Sequence, residues 1–230
     1  MQGPRLVLLR HGQGMLGSGQ YDRLSETGKI QALRLGQRIY EELPGPWAVW
    51  SGVLRRQRET LSRLAVSGPT FIDPCLNEYR VDHLVRNALA QAETLRLSPP
   101  PQAAFADPVR FLDTFMGWFP GVLECWQSGR LDDPCNGTWT AFRSRVLLPL
   151  SAWETRLRKG RSVVVVTSAG VISTLVASLC GQDLCWQRQF NVSLYNASVT
   201  ELALDGHGQW RYGRLNCVSH LQEEGLQTLA

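Results

Sequence analysis

Lysine is almost absent from this chain. Lys29 and Lys159 are the only two in 230 residues, so the formal net charge of +4 rests on arginine. Guanidinium groups pair well with phosphate oxygens, so the bias suits a phosphate-bearing partner as readily as it suits a genome-wide preference for arginine. No run of basic residues marks a nucleic-acid tract, and the aromatics are not interleaved with arginines as a single-strand groove requires. No nucleic-acid partner is expected. Long apolar runs are missing too. Nothing approaches the roughly 20 residues needed to cross a bilayer, so no membrane partner is expected. Met1-Gln2-Gly3-Pro4-Arg5 leads straight into a strand-like run rather than a basic segment and a long apolar stretch, which predicts a cytoplasmic location. The six cysteines form no small-domain framework and are expected to be reduced. Cys180, Cys185, Cys217 and His220 can be written as a zinc set, but the gap from Cys180 to Cys185 is wider than the usual ligand pair. No metal or other cofactor is expected.

What is present reads as alternating strands and helices. Arg5 to Leu9 is a strand candidate, followed by a loop through Gly12, Gly14, Gly17 and Gly19. Ser25 is placed to cap a helix from about Glu26 to Glu42, which Pro44-Gly45-Pro46 stops. Trp47 to Trp50, Thr70 to Ile72 and Ser162 to Val166 are further strand candidates, the last a β-branched run suited to a sheet centre covered on both faces. Helices are expected over Leu54 to Leu64 and Val171 to Leu179. Two late edge strands are expected, Ser198 to Leu204 and Gln209 to Leu215. The fold class is therefore α/β, a three-layer sandwich with a mostly parallel central sheet and helices on both faces. No internal repeat or low-complexity linker divides the chain. Residues 1–230 are read as one domain, with a helical insertion at about 80–158 over the active site. Late edge strands leave open pairing between chains, as in a homodimer.

In open α/β sheets ligands gather at the carboxyl ends of strands. Four such ends carry chemistry here: Arg10-His11-Gly12, the arginine-rich stretch from Ser51 to Thr60, Leu76-Asn77-Glu78, and Thr167-Ser168-Ala169-Gly170. A neutral imidazole is a competent nucleophile near pH 7. Planar arginine forks suit the equatorial oxygens of a transferring phosphoryl group. A glutamate whose pKa is raised can protonate the leaving oxygen.

These pieces, in this order, resemble the histidine phosphatase (phosphoglycerate mutase-like) superfamily. The triplet is Arg10-His11-Gly12. Gln13, Tyr21-Asp22-Arg23-Leu24-Ser25-Glu26-Thr27-Gly28 and Gln31-Ala32 look like a bacterial subgroup of it. Val53-Leu54-Arg55-Arg56 with Thr60 resembles its arginine motif, Leu76-Asn77-Glu78 its acid motif. Asn196-Ala197-Ser198-Val199-Thr200 and Asn216-Cys217-Val218-Ser219-His220-Leu221 also match. The resemblance implies a metal-independent phosphatase acting on a phosphorylated small molecule through a phosphohistidine on His11, with Glu78 as acid. It also implies a phosphate clamp of Arg10, Arg56 and Ser168, with Gln13 lining the pocket. Ser168 marks a departure, because most of the superfamily has a second histidine there. The subgroup resembled shares the serine. His220 and His83 are candidates to replace the missing donor. The alternatives are a phosphoryl-binding regulatory protein of the same fold and a mutase, the latter disfavoured by the continuation Gln13-Gly14-Met15-Leu16-Gly17. Trp118, Phe119, Trp126, Trp139 and Phe142 are candidates for a roof that selects the substrate.

Overall fold

The alternation of side chains along β1 (Leu6–Arg10) explains the layered architecture. Successive strand residues face opposite sides. Leu6 and Leu8 join one buried cluster, while Val7 and Leu9 join a second on the other face. β6 (Val163–Thr167) divides the same way: Val163 and Val165 face the first cluster, Val164 and Val166 the second, and all four are fully buried. Burying a valine stabilises by about 1.5 to 3 kcal/mol. A strand apolar on both faces is stable only between two helical layers, which is what this chain builds.

The computed structural model describes residues 3–15, 20–43, 45, 47–64, 68–101 and 108–229. The main sheet has six strands: β1, β6, β4 (Ala48–Ser51), β5 (Thr70–Ile72), β7 (Val199–Leu204) and β8 (Trp210–Tyr212). Their spatial order is β5-β4-β6-β1-β7-β8. β1, β6, β4 and β5 are mutually parallel, and β7 and β8 add an antiparallel edge. A small hairpin of β2 (Gly14–Met15) and β3 (Gln20–Leu24) stands apart. The four glycines of this stretch point to a loop in the sequence, and two of them, Gly17 and Gly19, lie outside the described residues.

Helix α1 (Glu26–Glu42) begins where expected, with the Ser25 hydroxyl accepting from Gly28 N at 3.0 Å. Its stop at Pro44-Gly45-Pro46 involves two residues outside the described set. α1 covers one face of the sheet through Leu35 and Ile39. The other face is covered by helices that include α5 (Pro108–Gln127), α6 (Trp139–Leu147), α8 (Ala169–Cys180) and α9 (Leu184–Ser193). α9 was not anticipated; Asp183 caps it, accepting from Trp186 N at 2.7 Å. The stretch read as a helical insertion contains α3 (Val81–Ala90), α4 (Ala92–Leu95), α5, α6 and α7 (Leu150–Arg158). No helix among the described residues is long and apolar enough to cross a membrane.

Candidate active site

Three parallel strands deliver the site at their carboxyl ends. β1 ends at Arg10 and presents His11, β4 leads through a short loop into α2 (Arg55–Leu61), and β6 ends at Thr167 before α8. His11 is pinned to its neighbour: its N–H donates to Thr167 O at 2.9 Å. Gly12 is held against α1 so closely that a Cβ there would lie 2.3 Å from Gly28 O. The Gly12 N–H donates to Thr60 Oγ1 at 3.1 Å, and that hydroxyl donates to Arg56 O at 2.8 Å. The histidine loop and the arginine helix are thus tied together.

The hydrogen bonds of His11 fix its tautomer. Nδ1 lies 2.7 Å from Gly12 O, which can only accept, so Nδ1 carries the proton. Arg56 Nε, which can only donate, lies 3.0 Å from Nε2, so Nε2 holds the lone pair. Burial pushes the His11 pKa well below its usual value, and the charges of Arg56 and Arg10 push it the same way. The imidazole is neutral at pH 7.

Arg56 is aimed by Asp22 on β3. Asp22 Oδ1 accepts from Arg56 Nη1 at 2.9 Å, and Oδ2 accepts from Arg55 N at 3.0 Å. Asp22 therefore caps α2 and holds the guanidinium at once. The Arg10 guanidinium donates to Leu194 O, which fixes it from the far side. Glu78 follows a short helical turn, Pro74–Leu76. Its Oε1 accepts from Tyr79 N at 3.1 Å and its Oε2 from Gly170 N at 2.8 Å. Burial raises the Glu78 pKa; the bonds from Gly170 and Tyr79 and the charges of Arg56 and Arg10 act against it without reversing it. A Cβ at Gly170 would sit 2.3 Å from Glu78 Oε1, so only glycine leaves room for the carboxyl.

His11, Arg10, Arg56 and Glu78 line one cavity of about 410 Å³. α3 and α5 form a wall of it, and Ala169, Asn191, Val192 and Leu229 complete it. Leu229 is brought there by a C-terminal strap: Thr228 O accepts from Asn196 N at 2.8 Å, and Gln31 Nε2 donates to Leu226 O at 2.8 Å.

Four expected residues are not in this cavity. The Gln13 carboxamide oxygen accepts from the Ser25 hydroxyl at 2.8 Å, which turns it toward the start of α1 and a separate depression. The Ser168 hydroxyl accepts from Gln57 Nε2 at 2.9 Å and is buried behind Ala169. A short side chain held inward by a buried amide does not reach the clamp. His220 lies between Arg38 Nη1 and Ala197 O, each at 3.0 Å, beside a different depression. His83 faces Asp82 at 3.7 Å and does not line the cavity. Of the five aromatics read as a roof, only Phe119 lines it. Trp126, Trp139 and Phe142 stack into the core beneath Tyr79, and Trp118 packs at its margin. The zinc alternative is not assembled either: among the described residues no three His, Cys, Asp or Glu side chains converge as a metal-binding group, and Cys180, Cys185 and Cys217 are free thiols.

The profile of the Histidine phosphatase superfamily (branch 1) matches residues 6–107 and 115–218. The chain belongs to that superfamily. A search of curated proteins returns no match. Solved structures with the same fold include Bacillus stearothermophilus YhfR, at 22% identity and a TM-score of 0.64, covering 94% of this chain and 98% of that one. The mycobacterial glucosyl-3-phosphoglycerate phosphatase in complex with inorganic phosphate is 22% identical with a TM-score of 0.62, covering 95% and 100% of the two chains. The alpha-ribazole phosphatase of Shigella flexneri is 17% identical with a TM-score of 0.62, covering 93% and 96%. At these identities the likeness establishes the fold.

Proposed function

We propose that this protein hydrolyses phosphomonoesters through a phosphohistidine on Nε2 of His11. The observation that carries the reading is the fixed tautomer: the lone pair of a neutral, buried imidazole is held on Nε2 by Arg56, beside a cavity shared with Arg10 and Glu78. Phosphoryl transfer is catalysed mainly by positioning and charge stabilisation. Two buried guanidinium groups supply the positive charge that the equatorial oxygens require.

In the first step Nε2 bonds to phosphorus and the ester P–O bond breaks. Glu78, whose pKa burial raises, gives its proton from the protonated form to the leaving oxygen. In the second step water attacks phosphorus and the N–P bond breaks. The Glu78 carboxylate takes the proton from that water and is restored. The neutral nucleophile and the protein-borne positive charge make a reaction without a metal ion the natural form of this chemistry. Turnover of an aryl phosphate in excess chelator, with loss of activity in His11→Ala, tests the proposal; a chelator-sensitive rate or an active His11→Ala variant contradicts it.

A further inference from the structure

Among the described residues, the wall above the phosphoryl clamp is mostly apolar. α3 and α5 present Val81, Val85, Leu112, Phe115, Met116 and Phe119 to the cavity. Phe115 and Phe119 stack at 4.9 Å with 18° between their planes, giving a flat aromatic surface one turn apart on the helix. Two neutral polar residues on the wall are tied to each other: Asn191 Nδ2 donates to Tyr79 Oη at 2.9 Å. Sugar hydroxyls placed against the apolar side chains of α3 and α5 would lose water and gain no hydrogen bond from them.

Charge points the same way. Among the described residues, Arg10 and Arg56 are the only cations lining the cavity, and they match one phosphoryl dianion. Beside Glu78, the cavity's other carboxylate among the described residues is Asp82, which pairs with Arg80 at 3.2 Å and with Arg86 at 4.0 Å. Among the described residues beyond the clamp, a second phosphate or a carboxylate on the leaving group would meet apolar carbon and the Asp82 carboxylate.

We infer that the substrate is a phosphomonoester of an apolar, ring-bearing alcohol or phenol that carries no second anionic group. The inference rests on the phosphatase reading above and narrows it to a substrate class. It assigns α3 and α5 the task of choosing the leaving group, with Phe115 and Val85 on different helices as the contacts that decide it. Asp82 rejects leaving groups that bring another negative charge.

The test compares 2-phenylethyl phosphate with 2-hydroxyethyl phosphate on the full chain. Both are esters of primary alcohols, so their ratio of kcat/KM reads the wall more than the chemistry. Burial of a phenyl ring in this wall is expected to favour the first by roughly 10- to 100-fold. Phe115→Asn and Val85→Asn should each shrink that ratio at least about fivefold. Two variants on separate helices guard against one that fails to fold. 4-Carboxyphenyl phosphate should be turned over about tenfold more slowly than phenyl phosphate despite its better leaving group, and Asp82→Asn should recover part of the difference. A ratio near one, or a ratio that both variants leave unchanged, overturns the inference while leaving the phosphatase intact. No hydrolysis of any of these esters and no phospho-adduct on His11 means that the phosphatase reading has failed, and this inference with it.

Discussion

Arg56 Nε donates to His11 Nε2 at 3.0 Å, so the arginine that would clamp the phosphoryl group also occupies the lone pair that would attack it. As substrate enters, Arg56 must exchange the imidazole for a phosphoryl oxygen. Asp22, which holds Nη1 at 2.9 Å, gives that movement a fixed pivot.

Removing either partner should therefore act on turnover. Arg56→Ala is expected to lower kcat/KM by about 10²- to 10³-fold, in line with the loss of a preorganised donor to transition-state charge. Arg56→Lys should recover little, because an ammonium cannot keep one donor on Asp22 while others reach the phosphoryl oxygens. Asp22→Asn should cost less, about tenfold. Steady-state kinetics on one aryl phosphate checks the order; a fully active Arg56→Lys would refute the fork geometry.

In the proposed mechanism two titrating groups set the pH profile. His11 works neutral, and its pKa lies well below 6.5, so the acid limb falls below the ordinary histidine range. Glu78 works protonated in the first step, and its pKa lies above 4.5, so activity declines as pH rises through that raised value. Glu78→Gln should abolish the alkaline limb and cost about 10²- to 10³-fold on an alkyl phosphate. The loss should be far smaller on dinitrophenyl phosphate, whose leaving group needs no proton. Gly170→Ala, which drives a methyl group onto the Glu78 carboxyl, should mimic it in part. Equal losses on both esters would take the acid role away from Glu78.

The sequence resemblance aligns Ser168 with the family's second active-site histidine, yet its hydroxyl accepts from Gln57 and the residue does not line the cavity. Ser168→Ala should change kcat/KM by no more than about threefold. It should cost about 1 kcal/mol of stability, the net worth of one buried hydrogen bond. Gln57 Nε2 keeps its second acceptor, Leu76 O, at 3.1 Å. Parallel kinetics and urea unfolding separate the two effects; a large kinetic loss would mean that the hydroxyl turns into the clamp during reaction.

His220 makes the fold acid-sensitive. Burial and then the charge of Arg38 lower its pKa to about 4 from 6.5. As pH falls below 6.5 the unfolded chain takes up the proton before the folded one does, so stability is lost progressively down to about pH 4. The loss attributable to His220 between pH 7 and pH 5 should be about 1 to 2 kcal/mol. His220→Gln can keep both hydrogen bonds without titrating, so its stability should fall less over that interval. Urea midpoints at the two pH values decide it, and identical losses in both proteins would contradict the assignment. His11 adds to the acid sensitivity in the same direction and remains in the variant.

The sheet and the core of the site were readable because their signals are local. Ser162 to Val166 and Arg5 to Leu9 are apolar on both faces, and such runs announce central strands. Arg10, His11, Arg56 and Glu78 stand just past strand ends, where an α/β sheet collects its chemistry. What escaped depends on partners distant in sequence. Asp22 reads as a loop acid until β3 is packed against α2. Gln13 and Ser168 match family positions, but Ser25 and Gln57 decide where their polar atoms point. His220 looked available as a helper, yet Arg38, 182 residues away, claims its ring. Trp126 and Trp139 were expected over the pocket and instead fill the core below it, because the spacing of aromatics in a helix does not say which face meets the cavity.

The central claim is that Nε2 of His11 carries the phosphoryl group. The most direct measurement is rapid quench of the wild type with a ³²P-labelled phosphomonoester that it turns over, alkaline denaturation, and mapping of the label. The account predicts an acid-labile, base-stable adduct on His11 that forms and decays at rates consistent with kcat and is absent from His11→Ala. Turnover with no label on His11, or label on another residue, would contradict it.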